Sequence, residues 1–122
     1  MSLNRQPGPM NENALQMLRD KELKKGADVV TADGEFLGKA LRLHHRPDEI
    51  NPELKLYGSY LEAPNLVMGS HFFVPVDFIA DYAPQDAQLT LTVPASAVMA
   101  ETWDREPTFI AGHLDTAEEL PL

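Results

Sequence analysis

From Ala27 to Val93 the chain is cut into short apolar segments by Gly, Pro and Asp, and their period is that of strands rather than helices. That pattern restricts the chain to a β-rich fold. Ala27-Asp28-Val29-Val30-Thr31 is short and β-branched, and Ala32-Asp33-Gly34-Glu35 follows it. Asp-Gly between apolar runs signals a hairpin, because glycine accepts the positive φ that a tight turn demands. Phe36-Leu37-Gly38 leads into a strand over Lys39 to Arg46, where Leu41 and Leu43 alternate with Arg42 and His44. A polar loop, Arg46 to Pro52, precedes a third strand, Leu54 to Glu62, which ends at Ala63-Pro64-Asn65. Ser70 to Ile79 is the most apolar run. Phe72, Val74, Val76 and Phe78 take one face of it; His71, Phe73, Pro75, Asp77 and Ile79 take the other. Pro75 cannot donate a ladder hydrogen bond, which puts that point at an edge or a bend. Leu89, Leu91 and Val93 alternate inward along the last strand. Pro94 then opens a short helix through Trp103, with Pro107 beyond its end. Five or six short strands closed by one small helix describe a small, partly open β-barrel.

With 122 residues the chain has room for one core. Residues 1–12, rich in Pro, Gly and polar side chains, are expected to form a flexible arm. A short helix is expected from Asn13 to Lys25, with Asn13 and Gln16 spaced as a capping box and Gly26 placed to end it. The domain then spans 13–107, and 108–122 reads as an acidic tail without pattern.

A formal charge of −9 sets the chain against polyanions, since nucleic-acid binding relies on Lys and Arg displacing counterions. Anionic membrane surfaces are disfavoured for the same reason. The chain has no cysteine, which removes disulfides, thiolate metal sites and thiol nucleophiles. Its start has no apolar core of a signal peptide, and no run approaches the roughly 20 apolar residues that cross a bilayer. The expectation is a soluble, cytoplasmic protein.

Val29-Val30-Thr31-Ala32-Asp33-Gly34-Glu35-Phe36-Leu37-Gly38-Lys39-Ala40 resembles the opening hairpin of PRC-barrel domains. Phe72-Phe73-Val74-Pro75-Val76-Asp77-Phe78-Ile79 is similar to the family's apolar strand with its proline step. Leu89 to Val93, Ala95 to Trp103 and Pro107 resemble its closing strand, helix and proline. The likeness covers roughly residues 26–107, and its order and spacing carry it more than any one motif. It implies a partly open, SH3-like barrel. The family includes the cytoplasmic domain of the photosynthetic reaction-centre H subunit, the carboxyl-terminal domain of a ribosome maturation factor and stand-alone bacterial and archaeal proteins. Its shared property is protein–protein association, which gives a class and not a role. Arg46 to Pro52 and Ala63 to Gly69 depart from it, reading as longer and more polar than a minimal member needs.

The residues offer little to catalysis. His44 and His45 are neighbours on a strand and face opposite ways, so they do not share a metal. His71, His44, His45 and His113 fall in no HxH, HxxxH or HExxH spacing and read as half-exposed structural side chains. Ser59, Ser70 and Ser96 lie in no nucleophile elbow. Gly34 and Gly38 make no phosphate cradle, and Asp48-Glu49 and Glu118-Glu119 read as solvated acids. No catalytic, cofactor or metal residues are assigned. Aromatic residues carry the remaining signal, because they anchor interfaces disproportionately. Tyr57 and Tyr60 lie on opposite sides of one strand, Phe73 is set opposite the core face, and Trp103 ends the helix. All four are candidates for a protein interface, although Trp103 also suits a barrel plug and Phe73 a seat under the amino-terminal arm. The expected function is a non-catalytic interaction or adaptor module that pairs with itself as a homodimer or with another protein. The alternative is an assembly factor that reaches a ribonucleoprotein or membrane complex through a basic protein.

Overall fold

A computed structural model describes residues 7–45, 59–101, 103–111 and 116–122; the side chains of residues 7–13, 108 and 109 are not among them. The architecture is mainly β. A helix, α1 (Pro7–Asp20), precedes β1 (Asp28–Val30), β2 (Phe36–Lys39), β3 (Arg42–His45), β4 (Ser59–Asn65) and β5 (Ser70–Pro75). A 3-10 turn, Val76–Phe78, leads to β6 (Ile79–Ala83) and β7 (Gln88–Leu91). Two short helices, α2 (Ala95–Ala100) and α3 (Thr108–Ala111), come before β8 (Thr116–Glu119). The strands form two four-stranded sheets, in the orders β2-β1-β7-β6 and β5-β4-β3-β8, and their pairing closes no barrel among the described residues.

The chain changes sheets at two corners. Ala40 still belongs to the first sheet, since its N–H donates to Ala27 O at 2.8 Å, while the N–H of Leu41 already donates to Glu62 O in the second at 2.9 Å. The other corner is the 3-10 turn after Pro75, whose missing N–H suits a point where the ladder stops. So the run Ser70 to Ile79, read as one strand, is two strands in two sheets, bent where proline sets the bend. Leu37, Leu43, Leu61, Phe72, Val74, Leu89 and Leu91 form the core between the sheets, with Leu15 and Leu18 of α1 packed against it.

Asp33-Gly34 forms the expected hairpin. Gly34 sits at φ +89°, and β1 and β2 pair antiparallel on either side of the turn. Asp33 also ties the start of α2 to the hairpin, because its Oδ1 accepts the N–H of Ala95 at 3.1 Å. That helix ends at Ala100, short of Trp103. Pro64 lies inside β4, but only after β3 has ended opposite Glu62, so no ladder bond is lost on that side.

α1 differs from its expectation at both ends. It begins before Asn13, which therefore lies inside the helix, and it stops at Asp20. The N–H of Leu23 donates to Leu18 O at 2.9 Å and that of Glu22 to Arg19 O at 3.1 Å. This pair of bonds is a Schellman stop, closed by the apolar side chains of Leu18 and Leu23, both buried. Its left-handed residue is Glu22, at φ +57°, rather than Gly26. A side chain there costs about 1 kcal/mol that glycine does not incur. Glu22→Gly is therefore expected to stabilise the protein by about 1 kcal/mol, read as a raised urea midpoint with an unchanged slope. An unchanged or lowered midpoint contradicts this account of the helix end.

Part of the acidic carboxyl-terminal segment is structured: Thr116–Glu119 pairs antiparallel with β3 as an edge strand, and Leu120 beyond it is buried. Among the described residues no helix is long and apolar enough to cross a membrane.

Candidate functional site

The second sheet carries core side chains on one face and a polar knot on the other. Register aligns Glu119, Arg42, Glu62 and Phe73 in one row across β8, β3, β4 and β5. His44 and His71 stand one step along the neighbouring strands and reach Glu62 diagonally from either side. Glu62 is buried, and its carboxylate collects three donors. Arg42 Nη1 donates to Oε1 at 2.8 Å, His44 Nε2 donates to the same oxygen at 2.6 Å, and His71 Nε2 donates to Oε2. Arg42 also donates through Nε to Glu119 Oε2 at 2.7 Å. Phe73 lies over the knot, stacked on His71 at 5.3 Å between centroids and tilted against His44 at 6.0 Å.

Burial is the strongest single influence on Glu62 and raises its pKa. The hydrogen bonds from His44, Arg42 and His71, with the charge of Arg42, outweigh it and hold the carboxyl below the usual range. With both oxygens engaged, Glu62 is a charged hub joining three strands and is not poised as a free base.

The opposite face of β3 carries a second set of contacts. Ser59 Oγ donates to His45 Nδ1 at 2.7 Å, and His45 Nε2 donates to Glu118 Oε1 at 2.8 Å. Arg19 of α1 also donates to that oxygen, at 2.9 Å. Serine, histidine and acid in this order have the connectivity of an activated nucleophile. Yet Ser59 is buried and its hydroxyl is not presented to solvent. The set acts as a clasp holding β8 and α1 to β3. His44 and His45 do face opposite ways, as strand geometry requires, but His44 is buried rather than half-exposed. Asp77 is half-buried, and its Oδ1 is the one inaccessible side-chain oxygen or nitrogen among the described residues without a hydrogen-bond partner; burial pushes its pKa up. No group of three or more His, Asp or Glu among the described residues is arranged to hold a metal.

The aromatic candidates fall differently from expectation. Tyr60, Phe73 and Trp103 are 6%, 5% and 7% exposed. Phe73 does lie opposite the core face, but its ring is buried there. Its ring is shared with the two histidines, and its N–H donates to Trp103 O at 2.7 Å. Trp103 packs on Phe78, with ring centroids 4.8 Å apart. Tyr57 lies outside the described residues. None of the three described rings stands open to solvent.

The exposed apolar surface is elsewhere, on the tip of the β4–β5 hairpin. Leu66, Val67 and Met68 are 91%, 94% and 64% exposed. This loop, read as polar, is apolar at its tip. The tip is well built: Asn65 Oδ1 accepts the N–H groups of Val67 and Met68 at 3.1 and 3.0 Å, and Gly69 N–H donates to Asn65 O at 2.9 Å. Asn65 is itself buried and donates through Nδ2 to Leu37 O at 2.7 Å, which anchors the tip to β2. Phe36, the residue before Leu37, is also exposed, as is Met99 of α2. Three adjacent apolar residues between Asn and Gly were a legible signal, since a surface turn has no core reason to carry them.

No family model, curated protein or solved structure matches the chain.

Proposed function

We propose that the chain is a non-catalytic protein-interaction module of PRC-barrel-like type, a cytoplasmic adaptor that pairs with itself or with another protein and has the homodimer as its expected form. The observation that carries this reading is the hairpin tip. Three contiguous aliphatic side chains stand in water on a turn that one buried asparagine holds in place. Full burial of each is worth about 1.5–3 kcal/mol against leaving it exposed, and a preorganised loop loses little ordering entropy when it docks. Two sheets joined at shared corners around one core, with an Asp-Gly hairpin at the start, support the PRC-barrel-like assignment. The formal charge of −9 favours the second reading, an assembly factor whose immediate partner is a basic protein.

The test is a tagged capture experiment with the native chain and with Leu66→Ser/Val67→Ser/Met68→Ser. The variant is expected to keep the native melting temperature, because the substituted side chains touch little of the fold. It is expected to lose partner or self capture by more than about tenfold. Equal capture by both chains, or none by either, would overturn the reading.

A further inference from the structure

We propose that the receiver of the hairpin tip is a second copy of this chain, and that two copies exchange tips reciprocally to close a two-fold dimer. The proposal rests on the interaction-module reading and names its partner. The same chain that exposes Leu66, Val67 and Met68 also carries an apolar groove, unfilled among the described residues, between the end of α1 and the end of β8. Leu18 and Leu23 line it from the helix side, and Leu43, Leu120 and Pro121 from the sheet side. Its volume is about 270 Å³. An apolar cavity of roughly 150 Å³ takes one benzene-sized group, so this groove accommodates roughly two aliphatic side chains of a tip.

Local charge permits a copy of the chain at this contact, although the overall charge repels one. Two molecules of formal charge −9 repel wherever carboxylates meet. The stretch Ala63 to Ser70 has no ionisable side chain, so the tip brings none to the interface. The groove rim is balanced, with Arg19 and Lys24 against Glu22 and Glu118. A tip entering there removes apolar surface from water and meets no net like charge.

Area favours reciprocity. A stable interface removes about 800 Å² per partner, more than three side chains supply in one direction. A two-fold axis uses each tip and each groove once and so doubles the contact. The same knob-and-hole pair used in one direction only would build an open filament. Like charge repeated along such a filament opposes it.

Sedimentation velocity over a concentration series measures the oligomer, and the cysteine-free sequence makes a positional test clean. The native chain is expected to sediment as a dimer, and the Leu66→Ser/Val67→Ser/Met68→Ser chain to dissociate more than about tenfold more readily. Val67→Cys and Lys24→Cys, each at an exposed position, are then prepared as separate proteins and mixed under mild oxidation. The expected product is the mixed disulfide dimer, in excess over either like pair. A dimer that survives the tip substitutions, or random disulfide pairing, overturns the proposal. A native monomer also overturns it, and the capture experiment then decides what stands. Tip-dependent capture of a different protein leaves the module reading intact. Tip-dependent binding to phosphatidylcholine vesicles instead points to a lipid surface and removes the module reading as well. A native monomer that does neither removes both readings together.

Discussion

Gly38→Ala is expected to destabilise the protein by about 3 kcal/mol or more, the upper end of what overpacking a well-packed interior costs. A Cβ at this position would lie 2.6 Å from Pro64 O, 2.8 Å from Ala63 O and 2.9 Å from Pro64 C. All three are backbone atoms of β4, so no side chain can swing away to relieve the contact. Gly38 sits on β2, and the close approach is where the two sheets meet beside the Ala40–Leu41 corner. Relief therefore means moving one sheet against the other, which also loosens the bond from Asn65 to Leu37 O that anchors the hairpin tip. Gly34→Ala is the control. Gly34 has a positive φ but nothing within 4 Å of where an alanine methyl would stand, so its cost is conformational, about 1 kcal/mol. Thermal melts followed by circular dichroism should place Gly38→Ala roughly 10 °C or more below the native chain, with Gly34→Ala between them. Equal melting of the two variants would mean that the sheets are not packed this closely at Gly38.

The difference between these glycines also shows which parts of the fold were legible. Asp33-Gly34 is a local device, needing only a residue that accepts positive φ, and two adjacent letters announce it. The bend at Pro75 and the inward alternation of Leu89 and Leu91 are local in the same sense. Gly38 gives no such sign, because its need for a missing side chain comes from Ala63 and Pro64, more than twenty positions away. β8 was hidden for a related reason. Thr116-Ala117-Glu118-Glu119 has weak strand propensity, and its extended form depends on pairing with β3 and on Arg42, His45 and Arg19, which engage its two carboxylates. The end of α1 misled because tertiary burial of Leu18 and Leu23 fixes it, and leaves Glu22 strained. The polar knot was least visible of all. Arg42, His44, Glu62 and His71 come from three strands, and only the register brings them together.

That knot gives the second large effect. Glu62→Ala is expected to cost about 3–5 kcal/mol, the range for removing one partner of a buried charged pair. Arg42 would keep Glu119, but the buried His44 ring and the stacked His71 would each lose the acceptor they point at. Glu62→Gln preserves shape and one acceptor oxygen, so its cost should be smaller, and it isolates the charge. The pH dependence gives the sharper readout. Glu62 has a folded pKa below its unfolded value, so in the window between them the unfolded chain binds more protons and stability rises with pH. Its contribution is complete above the unfolded pKa and is lost as pH falls through the folded one. Asp77 runs the other way. Burial raises its folded pKa, so its protonated form is favoured, and the stability it gives at low pH is lost as pH rises through that folded pKa. Urea midpoints measured across the acid range should therefore show a steep acid loss in the native chain that Glu62→Gln flattens. Asp77→Asn should instead raise the midpoint at pH above that folded pKa, where the native carboxylate is charged and one of its oxygens lacks a partner. If Glu62→Gln kept the native acid limb unchanged, the carboxylate would not be the hub that ties β3, β4 and β5 together.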